Sequence, residues 1–100
     1  MGGREVQVAE KVAAYRVEVR RSAVKELARL DATAAKRVSQ AIDALAQEPR
    51  PQGVRKIVGG AGTYRIRIGD YRIVYQIDDK AKAIFIEAVG SRSQIYRKRR

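Results

Sequence analysis

The sequence predicts an α+β domain: an N-terminal strand, a helical hairpin, then a mainly antiparallel sheet of about four strands with the helices on one face. Three observations predict it. Tyr15-Arg16-Val17-Glu18-Val19-Arg20 alternates apolar and polar residues, the period of a half-buried strand. Two stretches of helical spacing follow, joined by a connection too short for anything but an αα-hairpin. Then Gly62 to Ile77 reads as two alternating strands around a two-residue Gly69-Asp70 loop.

Residues 1–14 stand before this pattern. Val6, Val8 and Val12 fit a short helix and an added edge strand equally, so 1–14 is read as a flexible or accessory extension. The domain itself spans 15–97, and 98–100 is a basic tail. In the first strand Tyr15, Val17 and Val19 should face inward. Ser22 offers an N-cap for a short helix, Ala23 to Leu30, with Val24, Leu27, Ala28 and Leu30 as its apolar stripe. Asp31 is the cap for a longer helix, Ala32 to about Gln47, in which Ala34, Val38, Ala41, Ile42 and Leu45 recur at helical spacing. Glu48-Pro49-Arg50-Pro51 stops it, because proline disfavours helical geometry in the residue before it.

Val54 to Val58 is the next expected strand. Gly59-Gly60-Ala61-Gly62 is read as a turn, since it lacks the Gly-Lys-Ser/Thr ending of a phosphate-binding loop. In the hairpin, glycine at the first loop position suits a type II′ turn. Ile68 then pairs with Tyr71, Arg67 faces Arg72, Ile66 faces Ile73, Arg65 faces Val74 and Tyr64 faces Tyr75. One face of the ribbon is tyrosine and isoleucine, and is core material. The other carries Arg65, Arg67 and Arg72. Asp78-Asp79-Lys80 makes the next turn and is not read as a metal pair. Ala83 to Val89 is a mostly buried strand that Gly90 breaks. Ser91 to Tyr96 is a loop or single helical turn, and Arg97, Lys98, Arg99 and Arg100 are the basic end.

Like charges directly opposite each other weaken a sheet, so two facing arginines make sense where an anion is to be held. The charge balance agrees. Of the net +11, residues 1–49 contribute +2 (nine basic, seven acidic) and residues 50–100 contribute +9 (thirteen basic, four acidic). A basic domain of this kind points to nucleic acid or an acidic protein partner. The chain has no cysteine and no histidine, which excludes disulfides, thiolate or imidazole metal sites, Ser-His-Asp triads and paired-histidine ribonuclease chemistry. No apolar run approaches a membrane span, and residues 1–15 lack the apolar stretch of a secretory signal, so a cytoplasmic protein without a membrane partner is expected.

The chain resembles the RelE/ParE superfamily of toxins from type II toxin–antitoxin systems. The matching residues run in order: Tyr15-Arg16-Val17-Glu18-Val19, the helix Ala23 to Leu30, the Glu48-Pro49-Arg50-Pro51 stop, the Tyr64 to Tyr75 hairpin, and Val89-Gly90-Ser91-Arg92-Ser93-Gln94-Ile95-Tyr96. The resemblance implies a small domain with a helical hairpin on one face of a sheet. It also implies either of two activities: RelE-like cutting of messenger RNA in the ribosomal A site, or ParE-like inhibition of DNA gyrase. By the RelE-like pattern, Arg65 and Arg67 match the basic pair on the strand. Arg72 matches the phosphate-binding arginine, Arg92 the arginine after the closing Val-Gly, and Tyr96 the C-terminal tyrosine. Arg55, Lys56, Arg97, Lys98, Arg99 and Arg100 are expected to bind RNA more generally. Two positions depart from the pattern. Both members of the basic pair are arginine, a type that holds its proton above pH 12 and relays it poorly. Ser91 stands where many relatives have histidine.

The expected chemistry is metal-free and uses no cofactor. The ribose 2′-OH is the nucleophile, Tyr96 the base, the three hairpin arginines a clamp on the phosphate, and Arg92 an aid to the leaving group. Surrounding arginines favour the phenolate form of a tyrosine. The expected partners are the 70S ribosome with its mRNA and a cognate acidic antitoxin, partly disordered until bound, in a hetero-oligomer. The alternatives are a ParE-like gyrase inhibitor and a catalytically degenerate basic RNA-binding module.

Overall fold

The computed structural model describes residues 15–57, 59 and 62–91. In chain order the elements are β1 (Arg16–Val19), α1 (Arg21–Ala28), α2 (Ala32–Gln47), β2 (Arg55–Lys56), β3 (Thr63–Ile68), β4 (Tyr71–Asp78) and β5 (Ala83–Ser91). They form one sheet of order β1-β5-β4-β3-β2, antiparallel except where β1 runs parallel to β5. The expected α+β architecture is therefore the one observed. The expectations for 1–14, for Val58 and for Arg92 to Arg100 lie outside the described residues.

The β3–β4 register is the one the alternation dictates, with Ile68 opposite Tyr71 and Arg67 opposite Arg72. Gly69 has φ +60°, and Asp70 is not among the positive-φ residues, which makes the turn type II′ rather than I′. Tyr64, Ile66, Ile68, Tyr71, Ile73, Tyr75 and Ile77 thus point at the helices. They meet Ile84, Ile86 and Val89 of β5 and Val38, Ile42 and Leu45 of α2 in a single core. Asp31 caps α2 as its sequence position implies: its carboxylate accepts from Ala34 N at 2.8 Å.

Four local expectations are corrected. Ser22 does not cap α1: the cap position is Arg20, which makes no side-chain capping bond, and Ser22 is the second residue of the helix. Val24 is 50 % exposed, and Ala23, fully buried, takes its place with Leu27 and Leu30. The close approach of a short helix to β5 selects the small residue. The strand expected over Val54 to Val58 shrinks to Arg55–Lys56, because Val54 N already donates to Pro51 O in a turn. Gly90 does not end β5, since it pairs with Arg72 and the ladder continues to Ser91 opposite Tyr71.

A polar clasp closes the end of the sheet away from the hairpin tip. Arg50, held between two prolines, bonds Asp79 at 2.9 Å and Tyr64 Oη at 3.1 Å, and its guanidinium lies 5.2 Å from the Tyr64 ring centre. Tyr15 Oη donates to Asp79 at 2.6 Å. Beneath the clasp, the fully buried Tyr75 stacks near Tyr64 with centroids 6.1 Å apart, and its hydroxyl donates to Pro49 O at 2.7 Å. Burial holds the Tyr75 phenol well above its ordinary range.

Arg50 first, and then the Tyr15 hydroxyl, hold the Asp79 carboxyl below the usual carboxylate range. A carboxyl with a lowered folded pKa contributes stability above its unfolded value of about 3.9 and loses it as pH falls through the folded one. Thermal midpoints of wild type and Asp79→Asn, measured from pH 7 downward, should therefore differ at neutral pH and converge in acid. A gap independent of pH would assign the loss to packing instead.

Candidate phosphate-binding face

The side-chain period of a strand is two, so the pairing that buries Tyr64, Ile66 and Ile68 sends Thr63, Arg65 and Arg67 to the opposite face. Arg72, Val74 and Gln76 of β4 share that face. Arg55 of β2 lies opposite Arg65 in the ladder and joins it there. Lys56 lies opposite Tyr64, so it projects to the helix side. The structure thus brings Arg55, Arg65, Arg67 and Arg72 together and leaves Lys56 apart. Arg92, Tyr96, Arg97, Lys98, Arg99 and Arg100 lie outside the described residues.

The four arginines line an open groove of about 850 Å³, with Gln52, Gly53 and the Ile66–Gly69 stretch completing its walls. Arg67 is exposed, and Arg65 and Arg72 are half-buried. Arg67 is tethered at the hairpin tip: its Nε donates to Gly69 O at 3.1 Å. Val74, which shares this face, forms a small apolar cluster with Ala88, and Ile57 packs against it. Planar guanidinium forks match the oxygens of a phosphate, and here several stand on one rigid ribbon.

One cation escaped sequence reasoning. Arg37, on the outer side of α2, reaches the hairpin tip: a Cβ placed on Gly69 would lie 3.1 Å from its guanidinium nitrogens. Gly69 is required by its positive φ, whereas the exposed Arg37 head could shift by the few tenths of an ångström that a Cβ would need. Nothing in the helical spacing singles out Arg37, because the contact depends on how α2 crosses the sheet. Among the described residues no group of His, Cys, Asp or Glu could hold a metal ion, and no helix is long and apolar enough to cross a membrane.

A family model, the ParE toxin of type II toxin-antitoxin system, parDE, matches residues 17–96. The chain belongs to the RelE/ParE superfamily of type II toxins. Its fold is shared by the archaeal RelE–RelB complex from Pyrococcus horikoshii OT3, with 34 % identity, 81 % of this chain and 98 % of that one covered, and a TM-score of 0.72. The toxin–antitoxin complex RelBE2 from Mycobacterium tuberculosis matches with 28 % identity, 83 % and 97 % coverage, and a TM-score of 0.72. The isolated E. coli RelE toxin matches with 28 % identity, 85 % and 94 % coverage, and a TM-score of 0.70. No curated protein sequence matches the chain. The toxin is thus RelE-like in structure, while the family model it matches is described by ParE.

A cradle of this kind should take inorganic phosphate. Phosphate at ten times its Kd should stabilise the folded toxin by about 1.4 kcal/mol. That gain, read from urea denaturation at constant ionic strength, should be absent in the Arg67→Gln/Arg72→Gln double variant.

Proposed function

We propose that the toxin is a ribosome-dependent mRNA endonuclease that cuts in the A site. The observation that carries this reading is the arginine row. Arg67 faces Arg72 across the hairpin, with Arg65 and Arg55 beside them, on the face that the helices leave open. A fold that only needed a polar surface would have no reason to accept the repulsion, about 0.2–1 kcal/mol for a cross-strand pair. A pentacoordinate phosphorane carries two negative charges and repays it.

The reaction follows from the groups available. Tyr96, as phenolate, removes the proton of the 2′-OH. O2′ bonds to phosphorus, and the bond from phosphorus to O5′ breaks. Arg65, Arg67 and Arg72 hold the phosphate oxygens and their developing charge. Arg92 stabilises the leaving oxygen, which gains a proton from water and departs as a 5′-OH, with a 2′,3′-cyclic phosphate left behind. No step calls for a metal ion or cofactor. With no histidine and with arginine in place of a proton-relaying lysine, the site is strong in charge stabilisation and weak in proton transfer. Activity on naked RNA should accordingly be low, with the ribosome orienting the messenger. The partner that silences the toxin is an acidic antitoxin, as the RelE–RelB complexes suggest. Its segment folds on binding and draws on the +9 charge of residues 50–100.

A second reading has its own observation. The matching family model is the ParE toxin, and a ParE-like gyrase inhibitor would use the same face for binding without chemistry. Primer extension on mRNA translated by programmed 70S ribosomes separates the two. Tyr96→Phe should lower cleavage about 10²–10⁴-fold, the usual worth of a general base, and Arg72→Ala should abolish growth arrest without unfolding the protein. Full toxicity in both variants, or inhibited supercoiling without any cut in mRNA, would transfer the toxin to the gyrase branch.

A further inference from the structure

Strand β1 covers only part of β5. Its four residues pair with Ala83 to Ile86, and the last rung is Arg20 N to Ile86 O at 2.9 Å. Among the described residues, β5 from Glu87 to Ser91 has β4 on one side and no strand on the other. Main-chain groups along such an edge need partners. Helix α1 supplies them from its side chains. Ser22 Oγ donates to Glu87 O at 3.1 Å, and Val89 N donates to Glu26 Oε1 at 2.7 Å.

The fit is one of spacing. Two helix residues four apart rise about 6 Å along the axis. Two strand residues two apart rise about 6.6–6.8 Å. One face of α1 therefore imitates a strand over a single repeat. It does so where β5 is irregular. Val74 faces Ala88 but Tyr75 faces Ile86, so Glu87 is the extra residue of a bulge. A bulge bends its strand and leaves the ladder locally open. The two helix bonds grip the chain at the bulge residue and two residues beyond it. Past that point Val89, Gly90 and Ser91 pair with Ile73, Arg72 and Tyr71, and Ser91 runs directly into Arg92.

We propose that Ser22 and Glu26 are positioning residues of the RNA-cleaving site: they bond the main chain of Glu87 and Val89 on the side where no described strand runs, and so hold the far end of β5 in register against Arg72. This role rests on the mRNA endonuclease reading above. Neither side chain lines the arginine groove, so the role predicts an effect on the chemical step and not on ribosome binding.

Two measurements on the full chain test it. In amide hydrogen exchange, the Val89 amide, which turns to Glu26 on the side of β5 where no described strand runs, should be protected; exchange at the unprotected rate overturns the clamp, whatever the activity. In steady-state cleavage on programmed 70S ribosomes, Glu26→Ala should lower kcat about tenfold or more with KM within about twofold, since small misplacements of catalytic groups act at this scale. Glu26→Gln, whose amide oxygen accepts the same bond, should recover most of the rate. An unchanged kcat in Glu26→Ala, or a Gln variant as slow as the Ala variant, overturns the positioning role while the endonuclease reading stands. A wild type that cuts no mRNA defeats that reading and the positioning role with it, and Val89 protection would then describe the fold alone. Should Glu26→Ala not fold, Ser22→Ala at its exposed site carries the comparison: a fall in kcat without a change in KM supports the role, and no fall overturns it.

Discussion

Everything in this toxin depends on the register of the β3–β4 ribbon. With Ile68 paired to Tyr71, every tyrosine and isoleucine of the two strands meets the helices and every arginine meets solvent. A slip by one residue would exchange the faces, burying three guanidinium groups and exposing the core. The register is in turn set by Gly69, whose positive φ makes the two-residue turn possible. Core and candidate site are thus not separate structures. They are the two sides of one hairpin, and the hydrophobic effect that fixes one side fixes the other.

This arrangement explains why the stabilising and the functional groups are so unevenly distributed. On the helix side, Ile73, Tyr75, Ile84 and Ile86 are fully buried, and the polar contacts there are few and specific. Tyr75 reaches Pro49 O, and the Arg50–Asp79–Tyr15 clasp closes the margin with paired charges. On the open side, arginine faces arginine. The helix side must contribute the net stability that tolerates this repulsion.

The hairpin was legible in the sequence because its signals are local: alternation, a Gly-Asp loop, and a pairing that follows by counting. Asp31 was legible for the same reason, as a capping residue immediately before helical spacing. What was not legible depended on how elements meet. Ser22 has the chemistry of a cap, yet tertiary structure gives its hydroxyl to the backbone of β5. Val24 and Ala23 are neighbours on a helix of eight residues, and only packing on β5 decides that the smaller one goes in. Gly90 looks like a strand breaker until its ladder partner is known. The Arg37 contact needs the crossing of α2 over the hairpin tip, which no periodicity encodes. For the candidate site, residue types carried the reading as far as Arg65, Arg67 and Arg72, and β2 pairing then separated Arg55 from Lys56.

The parallel pairing of β1 with β5 has a consequence for how the protein comes into being. Arg16 and Ala83 are partners although sixty-seven positions separate them in the sequence. Contacts at such separation form late, since the entropy of closing the loop must be met before the pairing returns anything. During synthesis β1 leaves the ribosome long before β5, its strand partner among the described residues, exists, and α1 cannot grip β5 until then either. The chain therefore spends most of its translation without the sheet that orders its arginine face. For a protein whose proposed target is the ribosome that is making it, the topology itself delays maturity until nearly all of the domain has emerged.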